Sequence, residues 1–384
     1  MPLLPPSLSY WESESFFKDI DLLVIGSGIV GLHAALRARD WAPKARIVVA
    51  ERSPFPAGAS TRNAGFACFG SMTELLDDLN QHAENEVWSL VQMRWRGLQN
   101  LRQLLGDATL QYRPWGGWEM FSPQDQASYL QCLDQLDRFN QVMAGITGEE
   151  KTFLKADEHI HGQGLAATKH LILNQSEGQI HTGKMMKGLL ALAKERSIEV
   201  WGGLEINQLE PTPQGVKLQV QAGWEFQAGR VLVATNGFAR QLIPQLKLMP
   251  ARNQVLLTAP IANLPLQGAF HYDKGYVYFR NIDGRILIGG ARNLAREAET
   301  TDKFGQTELI QHRLETILEK VVLPGKSFEI AHRWSGILGV GTQKSPIIQA
   351  LHPRLAVAVR LGGMGVAVGG EVGRQGAELL LGQN

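Results

Sequence analysis

Cysteine is nearly absent from this 384-residue chain, which holds only Cys68 and Cys132. Two cysteines build neither a disulfide framework nor a thiolate cluster, so a reducing, cytoplasmic setting is expected. Long apolar runs are missing too. No stretch reaches the roughly 18 residues that a membrane span needs. Met1 to Pro6 is apolar but broken by proline, lacks a basic leader and is followed by Glu12 and Glu14, so no signal peptide is expected. An excess of either charge is also lacking: 38 Lys and Arg face 37 Asp and Glu, a formal net charge of +1. Such a balance offers no field for nucleic acid or a membrane surface. His159 and His161 are near each other but have no further partner at ligand spacing, so no metal site is expected.

Glycine is plentiful, at 41 residues, and it clusters. The first cluster is Gly26-Ser27-Gly28-Ile29-Val30-Gly31. It follows an apolar run, Asp19 to Ile25, that reads as a buried strand, and it opens a helix expected from Ile29 to about Arg39. A second strand is expected over Arg46 to Ala50, with Glu51 at its end. Strand, turn, helix and strand at this spacing form a dinucleotide-binding unit. The first glycine permits a tight turn, the second lets the backbone approach a pyrophosphate, and the third lets the helix pack on the strand. Free N–H groups at the helix start attract phosphate. Glu51, about 20 residues on, is placed for a ribose hydroxyl pair and disfavours a 2′-phosphate, so NADP is not expected. FAD and NAD both remain open on this unit alone.

Three later segments bear on that choice. Ala59-Ser60-Thr61-Arg62-Asn63-Ala64-Gly65 is a loop of small residues, hydroxyls and one arginine, able to run beside a ribityl-pyrophosphate. Ala234-Thr235-Asn236-Gly237 ends an apolar run that reads as a buried parallel strand. Leu361-Gly362-Gly363-Met364-Gly365-Val366 places glycines before a helix, whose N–H groups can face a flavin's pyrimidine end. Singly, each also reads as a structural turn. Elsewhere, helical patterning covers 74–105 and about 123–144, and a further helix is expected within Gln179 to Lys194. Residues 252–292 read as antiparallel strands, with Asp283-Gly284 as a hairpin turn. A helix is expected over about 306–318, and a closing helix from about Val372.

Taken together, these segments resemble the D-amino-acid-oxidase superfamily of FAD-dependent oxidoreductases, which includes glycine oxidases, sarcosine oxidases and γ-glutamylputrescine oxidoreductases. Arg252-Asn253-Gln254, Gly284 to Gly290 and Arg333-Trp334-Ser335-Gly336 add to the likeness. The loop after Glu51 is most similar to the glutamylputrescine type. The resemblance implies an α/β fold: a Rossmann-like FAD-binding domain with a discontinuous parallel sheet, and an inserted, mainly antiparallel-sheet substrate domain. The expected boundaries are 1–80, 170–245 and 330–384 for the first, and 81–169 and 246–329 for the second.

By position, the resemblance implies that Gly26, Ser27, Gly28, Ile29, Val30 and Gly31 line the pyrophosphate of a non-covalent FAD. Glu51 and Arg52 meet the adenosine ribose, and Ile206 meets adenine. Ser60, Thr61, Arg62, Asn63, Ala64 and Gly65 run along the flavin, with Ala234, Thr235, Asn236 and Gly237 over the phosphate turn. Gly362, Gly363, Met364, Gly365 and Val366 lie near the ring. Gln254, Tyr276, Arg280 and Trp334 are expected at the substrate, with Tyr278 as a further wall; no catalytic residue is assigned.

The substrate side departs from the family pattern. Ile337-Leu338-Gly339 and Gly362-Gly363 stand where glycine-oxidase-like members carry carboxylate-binding arginines, leaving Arg280, Arg292 and Arg333 as replacements. Leu287 stands where sarcosine-oxidase-like members have an oxygen-activating lysine, and no C-terminal cysteine is available for covalent flavin. Cys68 reads as a small buried hydrophobe or a redox thiol. The expected reaction is C–N oxidation of a small amine or amino-acid-like substrate by hydride transfer to flavin, with O2 or another acceptor. A 2-hydroxy-acid dehydrogenase feeding a quinone or carrier, and a non-catalytic FAD-binding protein, are the alternatives.

Overall fold

The computed structural model describes residues 5–165 and 167–382. Two eight-stranded sheets organise it. In the first, the strands Leu355–Val359, Glu225–Val233, Ile20–Ile25, Ile47–Glu51 and Glu199–Gly202 lie side by side and parallel. The central stretches of these strands, 22–25, 47–50, 231–233 and 355–359, are apolar and buried because helices cover one face and an antiparallel extension, Ile206–Pro211 and Val216–Val220, helps cover the other. The apolar run expected as a strand before Ala234 is the second half of one longer strand, Glu225–Val233. Its first half pairs with the extension and its second half with Ile20–Ile25.

The second sheet is antiparallel except for one parallel pair between Ala269–Tyr272 and Gly117–Phe121. Its long strands Met249–Thr258 and Ile330–Val340 pair over most of their length. Asp283 and Gly284 form the hairpin turn, both with positive φ, 51° and 70°. Two segments expected with the nucleotide unit join this sheet instead: His170–Asn174 pairs with Gly117–Phe121, and Ile330–Val340 with Met249–Thr258. Helices Glu84–Leu105 and Gln126–Thr147 match the patterned stretches.

The closing helix starts earlier than expected, at Gly365 rather than near Val372. Glycine disfavours helices intrinsically, which hides this start in the sequence. Here the glycines permit close packing on the helix Ile29–Trp41: a Cβ on Gly373 would lie 2.3 Å from the Val30 carbonyl oxygen. Tertiary contact outweighs propensity. The packing fixes the closing helix, and with it the turn before it, against the dinucleotide helix. Among the described residues, no helix is long and apolar enough to cross a membrane.

Candidate functional site

A cavity of about 1250 Å³ of empty space, partly open to solvent, lies at the carboxyl ends of the parallel strands. Lining it are Gly26, Gly28, Ile29 and Val30 of the first turn, Glu51 and Arg52, and Ser60 and Asn63 of the following loop. Ile206, Ala234, Thr235 and Asn236 add a side, and Gly363, Gly365 and Val366 close the far end. Segments far apart in sequence thus meet around one space.

The polar groups are positioned by one another. Glu51 Oε2 accepts hydrogen bonds from the Ser27 hydroxyl at 2.7 Å and from its N–H at 3.2 Å. Glu51 Oε1 accepts from the Ser53 N–H at 3.2 Å. The carboxylate is therefore fixed at the cavity wall by the turn it borders. Ser60 Oγ accepts from the Ile29 N–H at 2.9 Å, joining the loop to the start of the dinucleotide helix. Asn236 Oδ1 accepts from the Arg360 N–H at 3.0 Å, which anchors the approach to the C-terminal glycine turn.

The cavity fits FAD. Gly26 has φ +105°, and a Cβ there would stand 2.9 Å from the Ala234 carbonyl oxygen, so only glycine lets the turn sit this close to the strand end. A Cβ on Gly363 would meet nothing within 4 Å, which marks open space at the other end. Thr235 Oγ1, at the wall, is a buried polar atom without a partner.

Several expected cofactor residues act from behind the wall. Ser27 is wholly buried and holds Glu51. A Cβ on Gly31 would lie 1.9 Å from the Gly26 carbonyl oxygen, so Gly31 serves packing. Thr61 Oγ1 donates to the Pro56 and Gly58 carbonyls, and Arg62 donates to the carbonyls of Ala57 and Ser335. Ala64 packs with Val255 and Leu287. Gly65 lies over Arg280, Gly237 lies against the Leu338 carbonyl, the Gly362 N–H donates to Gly339, and Met364 caps the closing helix. Phe238, Gln241 and Leu242 line the cavity without any sequence signal, because they sit in or just after a short 3-10 helix, Asn236–Gln241, too brief to show a periodicity.

The second sheet presents one face to the 59–66 loop. A single row crosses it: Trp334 opposes Val255, Val255 opposes Gly289, Gly289 opposes Tyr278, Tyr278 opposes His271, and His271 opposes Glu119. Near the loop this face is apolar, with Ala64, Val255, Leu287, Leu257 and Ile282 packed together beside Tyr278 and Trp334. Its polar pair is Asn253, whose Nδ2 donates to the Tyr278 hydroxyl at 2.9 Å. Burial pushes the Tyr278 phenol up, so it stays protonated.

Of the expected substrate residues, Trp334 and Arg280 reach the loop: the Trp334 indole N–H donates to the Arg62 carbonyl at 2.9 Å, and Arg280 donates to the Gly65 carbonyl at 3.1 Å. Gln254 points to the opposite face because strand side chains alternate. There its Nε2 donates to Glu299 and Thr307, and its Oε1 accepts from Thr307 and Gln311, leaving no capacity for substrate. Tyr276 is 40% exposed at the hairpin's outer end, with Arg296 donating to its hydroxyl. Arg280 is buried beneath the loop, where burial lowers its pKa to about 10. Arg333 is tied to Gln311 and Glu315 on the far face. Arg292 is half-buried and has no hydrogen bond or ion pair among the described residues. Asn253, adjacent to Gln254, is the residue sequence reasoning missed. Its parity with Val255 and Leu257 is a signal, blurred because Leu256 is apolar as well.

Solved structures share this architecture. L-proline dehydrogenase from P. horikoshii superposes with a TM-score of 0.75 at 16% identity, covering 95% of this chain and 94% of that one. Glycine oxidase from Geobacillus kaustophilus gives 0.75 at 18%, covering 95% of each. Iminodiacetate oxidase from Chelativorans sp. BNC1 gives 0.73 at 17%, covering 94% and 95%. No curated sequence matches the chain. The family model described as DAO, FAD dependent oxidoreductase, matches residues 21–379, nearly the whole chain, so the protein belongs to that family, with FAD as its cofactor and oxidoreduction as its chemistry.

Proposed function

We propose that this enzyme oxidises a C–N bond of a small amine or amino-acid-like substrate bound between the flavin and the row Trp334–Val255–Tyr278. The carrying observation is the character of that face beside Trp334: Val255, Leu257 and Leu287 pack on Ala64, and the Asn253–Tyr278 pair lies next to them, with Arg280 buried under the loop. Bound flavin supplies the hydride acceptor. The chain's own residues have other tasks. Trp334 and Val255 exclude water, and Asn253 with Tyr278 orients the substrate nitrogen. A neutral amine in such a site needs no general base to lose hydride from the adjacent carbon. In this reading, the residues of the first turn, Glu51 and the 59–65 loop hold FAD along the cavity. The second sheet forms the substrate unit, and the first sheet with the closing helix forms the cofactor unit.

Among the described residues, this face offers no exposed guanidinium to a free α-carboxylate. Ile337 and Leu338 border the cofactor cavity instead, and Arg280 is buried beneath the loop with Nη1 bonded to backbone carbonyls. The proposed substrates are therefore amines whose carboxylate is distant or absent. Relatives named for glycine, L-proline and iminodiacetate place C–N oxidation within the fold's range. The test is anaerobic flavin bleaching over a panel of amines, N-methyl amino acids and 2-hydroxy acids. Bleaching by amines supports the proposal. Bleaching by hydroxy acids alone overturns it.

A further inference from the structure

Cys68, Glu177 and His271 come from three separate segments and meet beneath the flavin-side loop. All are buried, and Glu177 has no exposed surface. One ligand-type atom from each lies within 4.8 Å of the others. His271 Nε2 faces Glu177 Oε2 at 3.8 Å, beyond hydrogen-bond distance. Neither atom has a hydrogen-bond partner. Buried polar atoms without partners are rare and costly, and here two face each other.

The carboxylate is aimed. Glu177 Oε1 accepts from the Phe69 and Gly70 N–H groups at 2.7 and 3.0 Å, which turns Oε2 toward His271. Gly117 makes the room: a Cβ there would stand 1.9 Å from Oε2. Glu74 and Glu119 add negative field at His271. Burial and the Glu177 carboxylate push the Cys68 thiol up, and Arg280 offsets this only in part. Sulfur, imidazole nitrogen and carboxylate oxygen are the donor set of a zinc-class ion. Ligand atoms about 2.1 Å from zinc stand ~3.4 Å apart at a tetrahedral angle, so the His271–Glu177 gap needs to close by only a few tenths of an ångström.

We propose that Cys68, Glu177 and His271 bind one zinc-class divalent cation. On coordination the Cys68 thiol releases its proton to solvent, and the thiolate and carboxylate together neutralise the ion. The ion joins the flavin-side loop to the second sheet. Phe66 packs edge-on against His271 at 5.5 Å and Tyr278 at 5.3 Å, so the same clamp steadies the substrate-facing row.

The test is metal content per FAD in the holoenzyme, measured by plasma mass spectrometry after growth with zinc and gel filtration. About one zinc per FAD is expected. His271→Gln and Cys68→Ser, where they retain FAD, are expected to hold at least tenfold less. Wild-type enzyme with under a tenth of an equivalent of every transition metal overturns the proposal, whether or not the variants fold. FAD-replete variants that keep the wild-type zinc content overturn it too, because the metal then sits elsewhere. The readout needs no turnover, so it stands apart from the substrate proposal.

Discussion

Arg280 Nη1 donates to the Gly65 carbonyl oxygen at 3.1 Å and to the Ile180 carbonyl oxygen at 2.9 Å, gripping the flavin-side loop from below. Arg280 is therefore a support for the loop. Hydrogen bonds from a charged donor are worth about 1.5–3 kcal/mol each. Part of that gain offsets the burial of the guanidinium. Arg280→Met is expected to lower holoenzyme stability by about 2 kcal/mol and to weaken FAD binding. Thermal unfolding followed by flavin fluorescence checks this. A raised KM at unchanged stability would instead place Arg280 at the substrate.

Glu51→Gln removes the charge that accepts from Ser27 and Ser53. A charge-assisted bond of about 1.5–3 kcal/mol corresponds to a roughly 10- to 150-fold rise in the Kd for FAD. Titration of the apoenzyme with FAD reads it. An unchanged Kd means that Glu51 serves the turn alone and not the ribose.

His33 is buried under the closing helix, and burial lowers its pKa below 6.5 despite its contact with the Ile29 carbonyl. Below pH 6.5 the unfolded chain takes up a proton that folded His33 resists. Its contribution is thus full above 6.5 and is lost as pH falls toward the folded value. The stability gap between wild type and His33→Leu should shrink in acid, by up to about 1.4 kcal/mol per pH unit. Other titrating groups are common to both proteins and cancel. Denaturant melts at pH 7.5 and 5.5 decide it, and a gap independent of pH refutes the assignment.

Matched pairs test substrate charge: an amino acid and its decarboxylated amine, compared by anaerobic flavin-reduction rate. The amine is expected to be faster. If the amino acid wins, Arg292 is the guanidinium to suspect, because it alone of the candidate arginines is half-buried without a partner among the described residues. Arg292→Met should then abolish the preference.

Both cysteines are buried and precede residue 133, so none stands in the C-terminal segment that carries the Gly362–Val366 turn. Acid precipitation should release all the yellow chromophore as FAD. Colour kept in the pellet contradicts this.

The cofactor side was legible in the sequence because it is written locally. A glycine turn, an acid at the next strand end and a glycine-led helix each carry their own spacing. The substrate side was not, because it depends on which face each strand residue takes. Gln254 and Asn253 are neighbours with opposite destinations, and a strand buried on both faces hides its parity. The early start of the closing helix was hidden for a related reason: its glycines contact another helix, and propensity does not register that.

Strand alternation in Met249–Thr258 also separates two evolutionary tasks. Gln254 ties the strand to Glu299, Thr307 and Gln311 on the helix side. Asn253 and Val255 face the flavin loop. Selection for a new substrate can therefore rewrite the odd-numbered positions while the even-numbered ones keep the strand in register. A saturation library at Asn253 and Val255 should yield folded, FAD-replete enzymes of altered specificity far more often than one at Gln254.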